Sequence, residues 1–118
     1  IGGMYPAPHG IICARLLPFV MATNIAALQA RAADSPYLAR LDEVAQLLLG
    51  DPQAQAADGV AWVEALCAEL AVPPLREFGL VESEFPEVIA KSKVASSMKG
   101  NPIPLTDREL HTILVQAF

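Results

Sequence analysis

The stretch PHGIICARLLPFVMATNIAAL, residues 8–28, decides the fold, and the rest of the sequence adds to it. It opens on a proline and a glycine and is then apolar on nearly every helical face from Ile11 to Val20. A helix that is apolar all round is typical of the centre of a helical bundle, so we predict a buried helix that ends near Leu28. Pro18 removes a backbone hydrogen bond, which predicts a kink unless two helices meet there.

Further helices are marked by their own caps and breakers. Ser35 followed by Pro36 is an N-cap with proline at the first helical position, and Gly50 ends that helix. Thr106 and Glu109 form the capping box of the last helix. Because no alternating run of β-branched residues appears, the sequence predicts an all-α fold, a bundle of about five to six helices. The other predicted boundaries are a start at Asp51-Pro52, a stop at Pro73-Pro74, a short turn of helix over 75–78, a cap at Ser83 and an ordered loop over 98–104.

Composition limits the partners that the chain is expected to have. The 118 residues carry a net charge of -5 with eight scattered Lys and Arg, which argues against nucleic acid. The longest apolar stretch, from Ile11 to Ala22, is shorter than the roughly 20 residues of a membrane span, so we expect no membrane anchor. Hydrophobic residues make up 53% of the chain, and some of that surface is expected to face another subunit or a missing domain. We expect a cytoplasmic homo-oligomer.

Candidate metal ligands are few. His9 lies at the start of the apolar helix, where the ordinary interpretation is a structural residue at a helix end. Cys13 follows four residues later on the same helical face, so a His-Cys metal pair is conceivable, although both Cys13 and Cys67 are typical of buried thiols. His111 is predicted to be a solvated residue on the polar side of the last helix. One imidazole does not make a metal site, which normally requires three or four protein ligands.

Other motifs give weaker signals. Lys91, Lys93 and Lys99 form a loose basic cluster that would face an anionic cofactor or, in the simpler interpretation, is a solvated surface. The pair Gly2-Gly3 lacks the surroundings of a phosphate-binding loop and is interpreted as a turn. The two histidines lie at opposite ends of the chain, so the sequence predicts no catalytic set of a nucleophile, a base and an orienting group.

Two segments at the ends of the chain resemble the iron-containing alcohol dehydrogenase family. The N-terminal segment is similar to the family pattern HP-[IL]-GG-x(4)-PHG-x(3)-A-x-LLP-x-VM-x(2)-N, and the C-terminal segment is similar to its closing NP-x(2)-LT-x(2)-EL. The matching residues are IGGMYPAPHG at 1–10, LLP at 16–18, VM at 20–21 and Asn24, and then ASSMKGNP at 95–102, LT at 105–106 and EL at 109–110.

The resemblance implies a function for the intact protein. Family members have an N-terminal domain that binds NAD(P) and a C-terminal helical domain of the dehydroquinate synthase-like type. They bind a divalent ion, Fe²⁺ or Zn²⁺, through one aspartate and three histidines, of which His9 would be the last. The ion would polarise the oxygen of a small alcohol or aldehyde while hydride passes between the substrate and the nicotinamide. A histidine on a rigid buried helix would be held in one rotamer by packing on either side.

The same resemblance predicts what the chain lacks. The sequence begins at Ile1 rather than Met, and the other expected ligands and the nucleotide-binding domain would precede it. We therefore expect residues 1–118 to be one helical domain, truncated at its N-terminal side and inactive alone. Cys13 and Phe19 replace an Asn and a His that are common in the family. The alternative hypothesis is a free-standing helical protein-interaction module.

Overall fold

A computed structural model describes residues 7–118, so the Gly2-Gly3 turn and the first six residues of the N-terminal motif lie outside it. Within 7–118 the chain is helical and has no β-strand, which confirms the predicted all-α class. Short 3₁₀ turns cover Leu75–Phe78, Glu82–Glu84 and Ser96–Gly100. The five α-helices are α1 (His9–Arg31), α2 (Pro36–Leu49), α3 (Ala56–Glu69), α4 (Phe85–Val94) and α5 (Asp107–Ala117).

Helix α1 runs unbroken through Pro18, so the idea that two helices meet there is wrong. In a helix, the carbonyl of Ala14 would accept a hydrogen bond from the amide of residue 18, which a proline does not have. The thiol of Cys67 on α3 donates to this carbonyl instead, over 3.5 Å. A side chain 53 residues away thus offsets part of the cost of the proline, and Cys67 is half-buried between the two helices.

The predicted burial of α1 on nearly every side is wrong. Ile12 and Leu28 are buried, but Ile11 is 39% and Leu17 47% exposed. The molecule measures 41 × 32 × 20 Å, and helices pack about 8–10 Å apart, so its thinnest dimension holds two layers of helix. A helix in a two-layer bundle has at least one face without a neighbour. By length and composition alone α1 also qualifies as a membrane span, yet its Ile12 and Leu28 pack as those of a core helix do.

Helices α2 and α3 pack against each other beside α1. The hydroxyl of Ser35 accepts from the amide of Tyr37, and Gly50 ends α2 in the left-handed conformation at φ 66°, as predicted. Helix α3 begins at Ala56, four residues later than predicted. Two carboxylates fix that start, because Asp58 accepts from the amide of Gln55 and Asp42 accepts from the amide of Ala56, each over 2.8 Å.

Helices α4 and α5 pack on the opposite side of α1 and enclose the main core. The predicted cap at Ser83 is wrong, because Ser83 lies inside a 3₁₀ turn and α4 begins at Phe85. The capping box of α5 is confirmed, since Thr106 and Glu109 exchange side-chain to backbone hydrogen bonds of 2.8 and 3.2 Å. The buried members of this core are Ile12, Leu75, Leu80, Phe85, Val88, Ile89, Leu110, Ile113, Leu114 and Ala117.

Candidate functional site

His9 is the first residue of α1, and its side chain is exposed. The carbonyl of Pro8 accepts from the amides of Ile11 and Ile12, over 3.1 and 3.2 Å, and this fixes the first turn of the helix. The predicted packing of His9 on both sides is therefore wrong. What holds its backbone is the helix itself, which leaves the imidazole open to a ligand or to another part of the protein.

Cys13 lies beside His9, one helical turn further on. Its Sγ atom is 3.4 Å from Nε2 of His9, and the thiol is exposed rather than buried as the sequence suggested. Residues 10, 13 and 17 lie on one side of α1 at helical spacing, and all three are exposed. The N-terminal half of this side of α1, which we call the open face, is therefore accessible with His9 at its edge.

The C-terminal half of the same side of α1 is covered. Asn24 is 7% exposed, and it is the buried polar residue of the core in the part of the chain that the structure describes. Its amide nitrogen donates to Oδ1 of Asn101 over 3.0 Å, and the amide nitrogen of Asn101 donates back over 2.8 Å. Asn101 also donates to the carbonyl of Ile103 over 2.6 Å. These bonds join the two segments on which the family resemblance rests.

Replacing Asn24 with alanine is expected to lower the free energy of unfolding by about 1–3 kcal/mol, because the amide of Asn101 is left without its partner. Urea denaturation followed by circular dichroism measures the loss. Asn101→Ala and the double variant complete a cycle, in which the two single losses should exceed the double loss by at least about 0.5 kcal/mol. If the loss in the double variant equals the sum of the two single losses, the reciprocal bonds contribute nothing to stability.

Two further contacts fix α1 against the C-terminal part of the chain. Nε of Arg15 donates to the carbonyl of Ala117 over 2.9 Å, at the end of α5, where a cation also interacts favourably with the helix dipole. Arg31 donates to the carboxylate of Glu109 and to the carbonyl of Pro104, each over 2.8 Å. No local pattern in the sequence points to these contacts, which join residues far apart in the chain.

The Arg31–Glu109 pair makes stability depend on pH. The hydrogen bond from Arg31 lowers the pKa of Glu109 below its usual value. A carboxyl with a lowered pKa in the folded state stabilises above its unfolded pKa of about 4.3, and this contribution is lost as the pH falls through the folded value. The stability difference between wild type and Glu109→Gln should therefore be larger at pH 7 than at pH 3. Urea midpoints measure it; an equal difference at both pH values would contradict the charge effect.

The remaining candidates are not brought to His9. Lys91 pairs with Glu87 over 3.1 Å and Lys93 with Asp107 over 2.7 Å, so these two lysines behave as solvated surface residues. Lys99 lines, with Lys93, an open cleft of about 400 Å³. His111 is exposed, as predicted, with its ring edge-on to a core phenylalanine at 5.7 Å. Within residues 7–118 no group of three or more His, Cys, Asp or Glu side chains is placed to hold a metal ion.

Comparison with known proteins identifies the family. The 1,3-propanediol dehydrogenase of Klebsiella pneumoniae is 30% identical over 120 residues, which cover 100% of this chain and 30% of that protein. The enzyme of the same name from Citrobacter freundii is 27% identical over 129 residues, with the same two coverages. This chain thus spans about 30% of the length of these curated relatives. No solved structure matches it. Because the family model for the C-terminal part of the Fe-containing alcohol dehydrogenases matches residues 1–118, the chain belongs to that family.

Proposed function

We propose that this chain is the metal-binding helical domain of a dehydrogenase that transfers hydride between a primary alcohol or aldehyde and NAD(P). Membership of the Fe-containing alcohol dehydrogenase family supports this proposal. The structural observation that carries it is the exposed imidazole of His9 on the first turn of α1. The first turn of the helix fixes the backbone there, and the imidazole is accessible to an ion.

The residues fit a metal site that this chain shares with another part of the protein. His9 offers one nitrogen donor, whereas Fe²⁺ or Zn²⁺ in an enzyme needs about three protein ligands. We therefore propose that an N-terminal nucleotide-binding domain, absent from this sequence, supplies an aspartate, two further histidines and the NAD(P) site. When bound, the ion would polarise the substrate oxygen as a Lewis acid.

The chain's own residues would position His9 and exclude water. The bonds from Arg15 to Ala117 and between Asn24 and Asn101 hold α1 against α5 and the loop before it. His9 therefore lies on a helix that is attached to the core. Leu17 on the open face is 47% exposed and would be covered by the second domain, which would remove water from the cleft between the two domains.

The name shared by the two relatives suggests the substrate class. Both are called 1,3-propanediol dehydrogenase, so we propose a short primary alcohol, with 1,3-propanediol as the first to test. The intact protein is also proposed to be a cytoplasmic homo-oligomer.

The test uses the full-length protein that carries this chain. After chelation of its metal, it is reconstituted with Fe²⁺ or Zn²⁺ and assayed with 1,3-propanediol and NAD⁺ or NADP⁺. Reduced nicotinamide should form, measured by its absorbance at about 340 nm, only after a metal is restored. Residues 1–118 alone should show no turnover. A chelated protein with undiminished activity would contradict the proposal.

The alternative of a free-standing interaction module has one structural observation in its favour. Trp62 and Leu66 on α3 and Leu70 at its C-cap recur at helical spacing and are 39%, 37% and 66% exposed. A module would be monomeric and cooperatively folded on its own. A domain that normally packs against a second one should instead self-associate or bind a hydrophobic dye, which gel filtration and dye fluorescence of residues 1–118 distinguish.

A further inference from the structure

The pair formed by His9 and Cys13 offers a metal ion two different donors. Both side chains are exposed at the open face of α1, and Nε2 of His9 is 3.4 Å from Sγ of Cys13. They are four residues apart, so the helix presents them on neighbouring turns of the same side. No rearrangement of the backbone is needed to bring them together.

The distance between the two atoms is close to that of a metal chelate. Typical bonds from zinc are about 2.0–2.1 Å to a histidine nitrogen and about 2.3 Å to a cysteine sulfur. At angles between 90° and the tetrahedral angle, these lengths place the nitrogen and the sulfur about 3.1–3.5 Å apart. The observed 3.4 Å lies within this range, so both atoms can reach one ion without a change in their separation.

We propose that Cys13 is a second donor from this chain, beside His9, to the metal ion of the proposed site. This inference rests on the proposed function, because it assumes that His9 is a ligand. On binding, the thiol of Cys13 loses its proton to solvent, and the thiolate sulfur and the imidazole nitrogen each donate one electron pair to the ion. The sulfur would thus bind the ion and give up the hydrogen bond that it shares with His9.

A thiolate donor changes which metal the site prefers. Cysteine sulfur is a soft ligand that suits Zn²⁺, and zinc also binds mixed nitrogen and sulfur sites more tightly than Fe²⁺. The proposal therefore predicts that the protein selects zinc over iron, and that replacing Cys13 reduces this preference. The other cysteine provides a matched control, because Cys67 is half-buried and donates to the carbonyl of Ala14.

Cobalt spectroscopy of the full-length protein tests the proposal. The protein is stripped of metal and titrated with Co²⁺ without oxygen, as wild type and as Cys13→Ala, Cys13→Ser, Cys67→Ala and His9→Ala. Wild type and Cys67→Ala should show a thiolate-to-cobalt charge-transfer band in the near ultraviolet. Both Cys13 variants should lack the band and should bind Zn²⁺ about 10-fold or more weakly. Because Cys13 is exposed, unchanged circular dichroism should accompany these losses.

The outcomes separate this inference from the proposed function. A wild-type protein that binds Co²⁺ without a thiolate band, or a Cys13→Ala variant that keeps the band, overturns the role of Cys13. If His9→Ala still loses the metal in that case, the proposed function is supported and only the role of Cys13 is wrong. If His9→Ala binds Co²⁺ as tightly as wild type, the proposed function itself is wrong.

Discussion

Replacing His9 with alanine in the full-length protein is expected to remove most of the bound metal and to lower kcat/KM by at least about 100-fold. Loss of a group that merely supports a metal ligand typically costs about 10–100-fold in metal affinity or activity, and His9 is proposed to be a ligand itself. The side chain is exposed, so its removal leaves no cavity in the core. Metal analysis and initial rates measure the two losses, and circular dichroism should stay unchanged.

His111→Ala is the matched control for this prediction. It removes the second histidine of the chain, which is also exposed but lies on α5. Its metal content and activity should remain close to those of wild type. Stoichiometric metal in the His9→Ala protein would show that His9 is not a ligand and would remove the observation on which the proposed function depends.

Replacing Phe85 with alanine is expected to lower the free energy of unfolding by about 3–5 kcal/mol, the usual cost of truncating a buried phenylalanine. Phe85 is 2% exposed and begins α4. Its ring lies edge-on to those of His111 and Phe118, with centroids 5.7 and 5.6 Å away. The variant would therefore lose both apolar burial and two favourable ring contacts that hold α4 against the end of α5.

Urea denaturation of the chain measures this loss, and Val94→Ala on the same helix is the control. Val94 is 83% exposed, so its truncation should change the free energy of unfolding by no more than about 0.5 kcal/mol. Phe85→Leu should lie between the two because leucine fills most of the space. If Phe85→Ala costs no more than Val94→Ala, the core does not depend on this ring as the structure indicates.

Only part of the candidate site could be predicted from the sequence. His9 was selected because its motif resembles one family, and the comparisons support that family, while the role of His9 as a ligand stays a prediction. The spacing of His9 and Cys13 indicated a shared helical face, but only the structure shows that both are exposed and 3.4 Å apart. Exposure depends on which elements cover a helix, and a one-dimensional pattern does not contain that information.

The sequence by itself determined the helices and the family. Helix caps act within a few residues, so the local sequence predicts them. Examples are the hydroxyl of Ser35, the left-handed Gly50 and the Thr106–Glu109 capping box. The sequence pattern placed the cap of α4 wrongly at Ser83, where a 3₁₀ turn precedes the helix.

The tertiary structure alone decided which surfaces meet. It placed Cys67 against the carbonyl that Pro18 leaves without an amide, and it paired Asn24 with Asn101 across 77 residues. It also left one face of α1 open, because a bundle two helices thick cannot surround an apolar helix. Caps and breakers are local interactions, so the helices were predictable from the sequence. Burial and side-chain pairing depend on neighbours that are distant in the sequence, so the open face was not.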